Sequence, residues 1–421
     1  MRKKVTLLVF SALCSLIVLS SVAIGGEDFL SVSEYWKRPV PLQRNSNFFY
    51  PEECGKCHKS QYGDWKDSLH SKAVGPGLLG QLTGTDLKSI PNDPQFAQSC
   101  YFCHAPMEEQ AEMIENKSGV RGLPPQALSG GQESEKDNYI KNPNFDNKLK
   151  LSGVSCAVCH LREGKIYGPP LRKGKGQGAR GKGSGEKSQI SNLKSQIKDA
   201  HDGFIEKDFF EKAEFCAACH QLDEGYELNG KVLTNTYREW KKSIYSKNNI
   251  TCQNCHMPDR QHLFRGIHDP EMVKRGITIN AVREGSNARL VITNTGVGHF
   301  FPTYVTPVVV IKGVMLDKND KVIARSMKKA FIGRKVNLDL SKEIFDTRIP
   351  PEKSFEFDYT VSKSYNSGKL VFEVWVYPDE FYNRFYRDLL KGKNGGFDGK
   401  EIEKAFKITE KSGYRLFREI L

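Results

Sequence analysis

After its first two dozen residues the sequence contains no apolar run long enough to cross a bilayer, which excludes a polytopic helical membrane protein. Unpaired cysteine is almost missing as well. Apart from Cys14, every one of the eleven cysteines belongs to a closely spaced pair. Methionine is scarce, with 7 residues, so few thioethers are available to bind a metal. The region before residue 270 has little apolar sequence of a length that could form a core unaided. An acidic excess is also lacking, since the formal charge is +13.

What is present begins with a targeting pattern. Arg2, Lys3 and Lys4 precede an apolar stretch from Val5 to Ile24, and Ala23 and Gly25 offer small residues for cleavage. Residues 1–25 are therefore expected to be a signal peptide, placing the protein in the periplasm or at the cell surface. Left uncleaved, the same segment would tie the chain to a membrane. Cys14 lies mid-run behind Leu13, the wrong setting for lipidation.

The ten remaining cysteines decide the class. Cys54/Cys57, Cys100/Cys103, Cys156/Cys159, Cys216/Cys219 and Cys252/Cys255 are each spaced C-x-x-C, and each pair is followed at once by His58, His104, His160, His220 or His256. Two thiols at this spacing add to the two vinyl groups of a haem, and the adjacent histidine reaches the iron. Five short disulfides or paired zinc knuckles would not require a histidine after every second cysteine. The expected cofactors are thus five covalently bound haem c groups. Their propionates offset much of the positive charge, and loss of the leader removes three basic residues. The charge therefore gives no reason to expect a nucleic-acid partner.

Five irons need distal ligands, and five histidines lie outside the motifs: His70, His201, His262, His268 and His299. His70 follows His58 by twelve residues, about 18 Å if helical. Facing nitrogens on one iron are only about 4 Å apart, so on a helix His70 must serve a different haem. Met257 directly follows His256 and is too close to cross the same iron, which leaves Met107 as a weaker candidate. His299, in G-V-G-H-F-F-P, is expected to reach a haem from the C-terminal domain.

An internal repeat runs through the region. Y-G-D-W-K-D-S-L-H, ending at His70, aligns with Y-R-E-W-K-K-S-I-Y, ending at Tyr245. Tyr62, Trp65 and Leu69 suggest one stripe of a helix packed on a haem edge. Tyr245 either packs in the same way or lines an open coordination position.

The chain is expected to be α+β and multidomain. Residues 26–275 form a mainly helical and irregular pentahaem domain, with a flexible basic insert at 168–200. Residues 276–378 are rich in alternating β-branched and aromatic runs: ITINAV, ARLVITN, TYVTPVVVIKGVML, KVIARSM, FEFDYTV and KLVFEVWVY. They suggest a β-sandwich of six or seven strands. Residues 379–421 are expected to add C-terminal helices, two amphipathic ones at 379–391 and 399–420.

The W-x-x-S-x-H segment after a haem motif, with GVSCAVCH, EFCAACHQ, TYREWKKSIY and ITCQNCHMP, resembles the multihaem cytochromes related to the tetrahaem electron carriers of nitrifiers, hydroxylamine oxidoreductase and pentahaem nitrite reductase. NTGVGHFFPT resembles a segment found where such cytochromes carry a C-terminal β domain. The resemblance implies electron transfer between other redox proteins, with a homo-oligomer or filament left open. The alternative it implies is an oxidoreductase acting on a small nitrogen or sulfur species. The nitrite reductases use lysine at their catalytic haem, whereas all five motifs here end in histidine, so that active site does not carry over.

Overall fold

The computed structural model describes residues 50–82, 94–115, 139–162, 164–171, 204–222, 224–365, 368–392 and 397–421. The expected signal peptide, His201 and residues 172–200 of the insert lie outside them. Among the described residues no helix is long and apolar enough to cross a membrane.

Every cysteine pair stands on a short helix: Pro51–Cys57, Pro94–His104, Cys156–His160, Glu214–His220 and Cys252–His256. A spacing of three residues places both thiols on one helix face. Pro51 suits a first helical turn. Ser155 and Thr251 stand as extended N-cap residues directly before Cys156 and Cys252. Apolar packing around these helices is divided into small clusters, such as Val74, Tyr101, Ala105 and Ala111, or Met107, Leu149, Ala157, Val158 and Leu161. Met107 is thus a buried packing residue. The described ends of the insert are held side by side, because Tyr167 and Gly168 pair in parallel with Ile205 and Glu206.

The C-terminal half has one continuous core between two antiparallel sheets. Its strands are β1 (Ile277–Glu284), β2 (Asn287–Asn294), β3 (Val308–Met315), β4 (Lys328–Val336), β5 (Glu343–Asp346), β6 (Ser354–Thr360), β7 (Leu370–Tyr377) and β8 (Tyr414–Ile420). One sheet has the order β5-β4-β3-β7-β8 and the other β6-β2-β1. Leu290 and Ile292 from β2 share a core with Val309 and Ile311 from β3 and with Phe372 and Val374 from β7. Phe372 meets Phe357 and Tyr359 of the opposite sheet edge to face, at 5.9 and 6.2 Å. The result is a β-sandwich.

Two expectations are corrected. The second C-terminal helix ends at Lys411, and residues 414–420 are strand β8 on the edge of the larger sheet. Gly413 precedes the strand. YRLFREI alternates, so that Leu416 is buried while Arg415 bonds Glu373 of β7 across the strand pair. KVIARSM is not a strand either. Ser326 Oγ takes the Met315 N–H and donates to the Ile323 carbonyl, which favours a 3-10 turn, and the strand starts at Lys328. The C-terminal helices also pack on the haem region. Helices Glu380–Lys391 and Gly399–Lys411 approach helix Gly75–Leu82 of the haem region closely. A Cβ on Gly77 would strike the Tyr386 hydroxyl, and one on Gly80 would meet Ile402 at 2.9 Å.

Buried charges join the two halves. Arg334, fully buried, donates to the carbonyls of Leu228, Lys231 and Val232 and to Glu343, all at 2.7–2.9 Å. Arg348 donates to Asp346, to the Thr303 carbonyl and to Glu239.

Candidate haem and metal centres

Three motif histidines each face a histidine from elsewhere in the chain. Ring centroids are 6.2 Å apart for His220 and His70, 6.1 Å for His160 and His262, and 6.4 Å for His256 and His299. With metal–nitrogen bonds near 2 Å and ring centres about 1.2 Å behind the nitrogens, two imidazoles on one iron should have centroids about 6.4 Å apart. The residues therefore fit haem iron between them. Among the described residues no three His, Cys, Asp or Glu side chains converge to hold a metal ion, whereas a zinc knuckle would gather four.

The orientation of the rings points the same way. His160 Nδ1 donates to the Tyr167 carbonyl at 2.8 Å, His256 Nδ1 to that of Arg265 at 2.5 Å, and His104 Nδ1 to that of Ala73 at 2.7 Å. His299 and His262 do the same with the carbonyls of Phe300 and Arg260, and His220 Nδ1 pairs with the Tyr304 hydroxyl. With Nδ1 as donor, Nε2 keeps its lone pair for a metal and is made more basic. Burial pushes His70 down to about 3 and His160, His220 and His299 to about 4, and it lowers His256 and His262 as well. These rings are neutral at ordinary pH, the form that binds metal.

Thiols of different motifs lie near enough to shift one another's ionisation: Cys54 with Cys156, Cys103 with Cys219, and Cys216 with Cys252. Cys159 also bears on Cys216 and feels Cys219. The first motif thus adjoins the third, the third adjoins the fourth, and the fourth adjoins the second and fifth.

A family model described as cytochrome c554 and c-prime matches residues 53–123, which include the first two motifs. A solved structure of a penta-heme cytochrome c552 from Thermochromatium tepidum aligns with 77% of this chain and 90% of its own, at 18% identity and a TM-score of 0.50. This chain is a multihaem c-type cytochrome. It binds haem c covalently and has the fold of a penta-heme cytochrome. No curated protein sequence matches it.

Within this cytochrome the repeat seen in the sequence is also a repeat of contacts. Trp65 Nε1 donates to the Val154 carbonyl at 2.8 Å, and Trp240 Nε1 to the Ile250 carbonyl at 2.8 Å. Each acceptor stands two residues before a motif, at Cys156 and at Cys252. Ser68 and Ser243 both donate to the carbonyl of their tryptophan at 2.7 Å, and Tyr62 and Tyr237 lean on it at the same 34°. The helix Lys59–Asp67 stops before Ser68, so Leu69 falls outside the expected stripe and is 54% exposed. The chain then carries the His70 ring to His220, of a different motif. Tyr245, at the aligned position, donates to the Thr295 carbonyl at 2.9 Å.

The remaining candidates are placed less directly. His58 lies near enough to His160 and His262 to lower both. His268 has its Nε2 3.0 Å from both carboxylate oxygens of Asp379. Asp379 and Cys100 both bear on Tyr382, which puts the His268–Asp379 pair beside the second motif. Sequence reasoning misses Tyr304 and the carbonyls that fix each Nδ1. Backbone acceptors leave no residue signature.

Proposed function

We propose that the chain is an exported pentahaem electron carrier, with five haem c groups on Cys54/Cys57, Cys100/Cys103, Cys156/Cys159, Cys216/Cys219 and Cys252/Cys255. The observation that carries this reading is the facing of histidine rings at 6.1–6.4 Å at three of the motifs. Covalent haem supplies reversible one-electron chemistry at iron. The chain's part would be to hold each iron between two neutral imidazoles: His70 with His220, His262 with His160, and His299 with His256. A filled position leaves no place for a substrate, so these residues favour passing electrons over transforming a molecule. The nearness of thiols of different motifs supports one continuous array. The partners on this reading are redox proteins acting as donor and acceptor outside the cytoplasm.

A single observation favours a second reading, in which one haem is catalytic. The distal candidate beside the second motif, His268, has its Nε2 engaged by Asp379. If His104 keeps no distal partner, that site accepts a small nitrogen or sulfur species. Ferric and ferrous spectra with and without carbon monoxide or nitrite separate the readings. A carrier is unchanged by both ligands. Ligand binding by one haem of the unaltered protein would sink the pure carrier reading.

A further inference from the structure

The two copies of the repeated unit share one more residue type. Asp64 precedes Trp65, and Glu239 precedes Trp240. Asp64 Oδ2 accepts the backbone N–H of His262 at 3.0 Å. Glu239 Oε2 accepts the backbone N–H of Phe300, next to His299, at 3.1 Å, and the Thr303 hydroxyl at 3.0 Å. His262 faces His160 of the third motif, and His299 faces His256 of the fifth. Those are the two motifs whose leading carbonyls, on Val154 and Ile250, accept from Trp65 and Trp240.

We infer that each acid–tryptophan dipeptide is an axial clamp: the tryptophan fixes the proximal side of one haem site, and the acid before it fixes the distal side. The inference rests on the paired-histidine reading above. Both sides of each site come from segments distant in sequence, and a ligand set is only as well placed as the groups that hold it. Two adjacent residues on one short helix refer both sides to a single rigid element. Asp64, Trp65, Glu239 and Trp240 are therefore positioning residues.

The two clamps differ in strength for a structural reason. Asp64 is half-buried and holds one backbone N–H, whereas Glu239 is buried and is also bonded by Arg348 at 3.0 Å. The loop that Glu239 holds comes from the β-sandwich, so the same carboxylate that seats His299 docks the second domain. Gly298 makes the approach possible, since a Cβ there would meet Trp240 at 3.1 Å and Tyr245 at 3.3 Å.

Electron paramagnetic resonance of the ferric holoprotein tests the clamp. His262→Ala and His299→Ala first identify the low-spin signal that belongs to each site. If neither variant loses a signal, the paired-histidine reading itself fails. Given those assignments, Glu239→Leu should shift or broaden the signal lost in His299→Ala and leave the His262 signal in place. Asp64→Leu should do the reverse, with a smaller shift. Glu239→Gln and Asp64→Asn retain a carbonyl acceptor and should restore the wild-type signals. Trp240→Phe should move the same signal as Glu239→Leu. The unaffected site in each variant, with an unchanged haem count, serves as the control for folding. Leucine variants that leave their own site's signal unmoved, or that move both signals equally, would overturn the clamp.

Discussion

Arg334→Leu should loosen the seam between the two halves of the molecule. The guanidinium is fully buried and donates to the carbonyls of Leu228, Lys231 and Val232, in a hairpin that follows the fourth haem motif. It also bonds Glu343, whose side chain is only 7% exposed. Breaking a buried pair by removing one partner costs about 3–5 kcal/mol, and each carbonyl left without a donor costs about 1–3 kcal/mol. Lys231 and Asn229 still bond Glu343, and a loosened hairpin admits water to its carbonyls. The losses therefore do not add, and a total of about 4 kcal/mol is expected. For a unit of this size that is a fall of about 10 °C in the thermal midpoint. Circular dichroism of the holoprotein measures it. Arg289→Leu is the control, because that guanidinium pairs with Asp358 and Glu356 on the exposed face of the smaller sheet and should leave the midpoint unchanged. A fall of under about 2 °C in Arg334→Leu would refute the reasoning.

Other expectations follow from the same contacts. Burial would raise the Asp346 carboxyl, but hydrogen bonds from Arg348 and Lys231 outweigh it and hold the group well below the usual carboxylate range. A depressed acid stabilises the fold above its unfolded value, about 4, and loses that stability as pH falls through its folded value. The midpoint should therefore drop in acid, and Asp346→Asn should flatten the drop; parallel curves for the two proteins would count against the pairing. Denatured holoprotein should retain five haems by intact mass spectrometry, and Cys252→Ala/Cys255→Ala should retain one fewer; four in the parent would contradict the motif count. Deleting residues 176–196 should leave the haem spectrum unchanged, because the remaining crossover still has the roughly dozen residues that parallel strands require. A lost haem in that deletion would show that the insert belongs to the array.

Haem attachment is legible in the sequence because its chemistry is local: two thiols and a histidine within five residues leave a fixed pattern. The proposed histidine pairing is legible only as a count of free histidines. His70 is separable from His58 by helix length, yet its partner, His220, is set by a turn after Ser68 that no periodicity shows. His299 is readable from its glycines and aromatics, and the structure places its ring beside His256. The glycines serve close approach, with Gly298 against Trp240 and Gly296 against the Arg275 carbonyl. In the sandwich, β4 escapes notice because its first half is exposed and opens on Lys328 and Lys329, and Arg334 puts a charge among the buried residues of its second half. Strand β8 is hidden behind an amphipathic helix whose charged pattern runs smoothly into YRLFREI. The acid before each tryptophan stands in plain view in the repeat. Its partners are backbone N–H groups of remote loops, and such partners have no letter in a sequence.

The central claim is that histidines from separate segments meet in pairs on haem iron. Electron paramagnetic resonance of the ferric protein, compared with His299→Ala, tests it most directly. The His256 and His299 rings are nearly parallel, at 11°, whereas those of His70 and His220 are inclined at 56°. Parallel ligand planes give a rhombic low-spin signal, and strongly inclined planes give a more anisotropic one. The account predicts that His299→Ala removes one rhombic low-spin signal, leaves the anisotropic one and gains a high-spin signal of matching intensity. A variant that keeps every low-spin signal of the parent would contradict it.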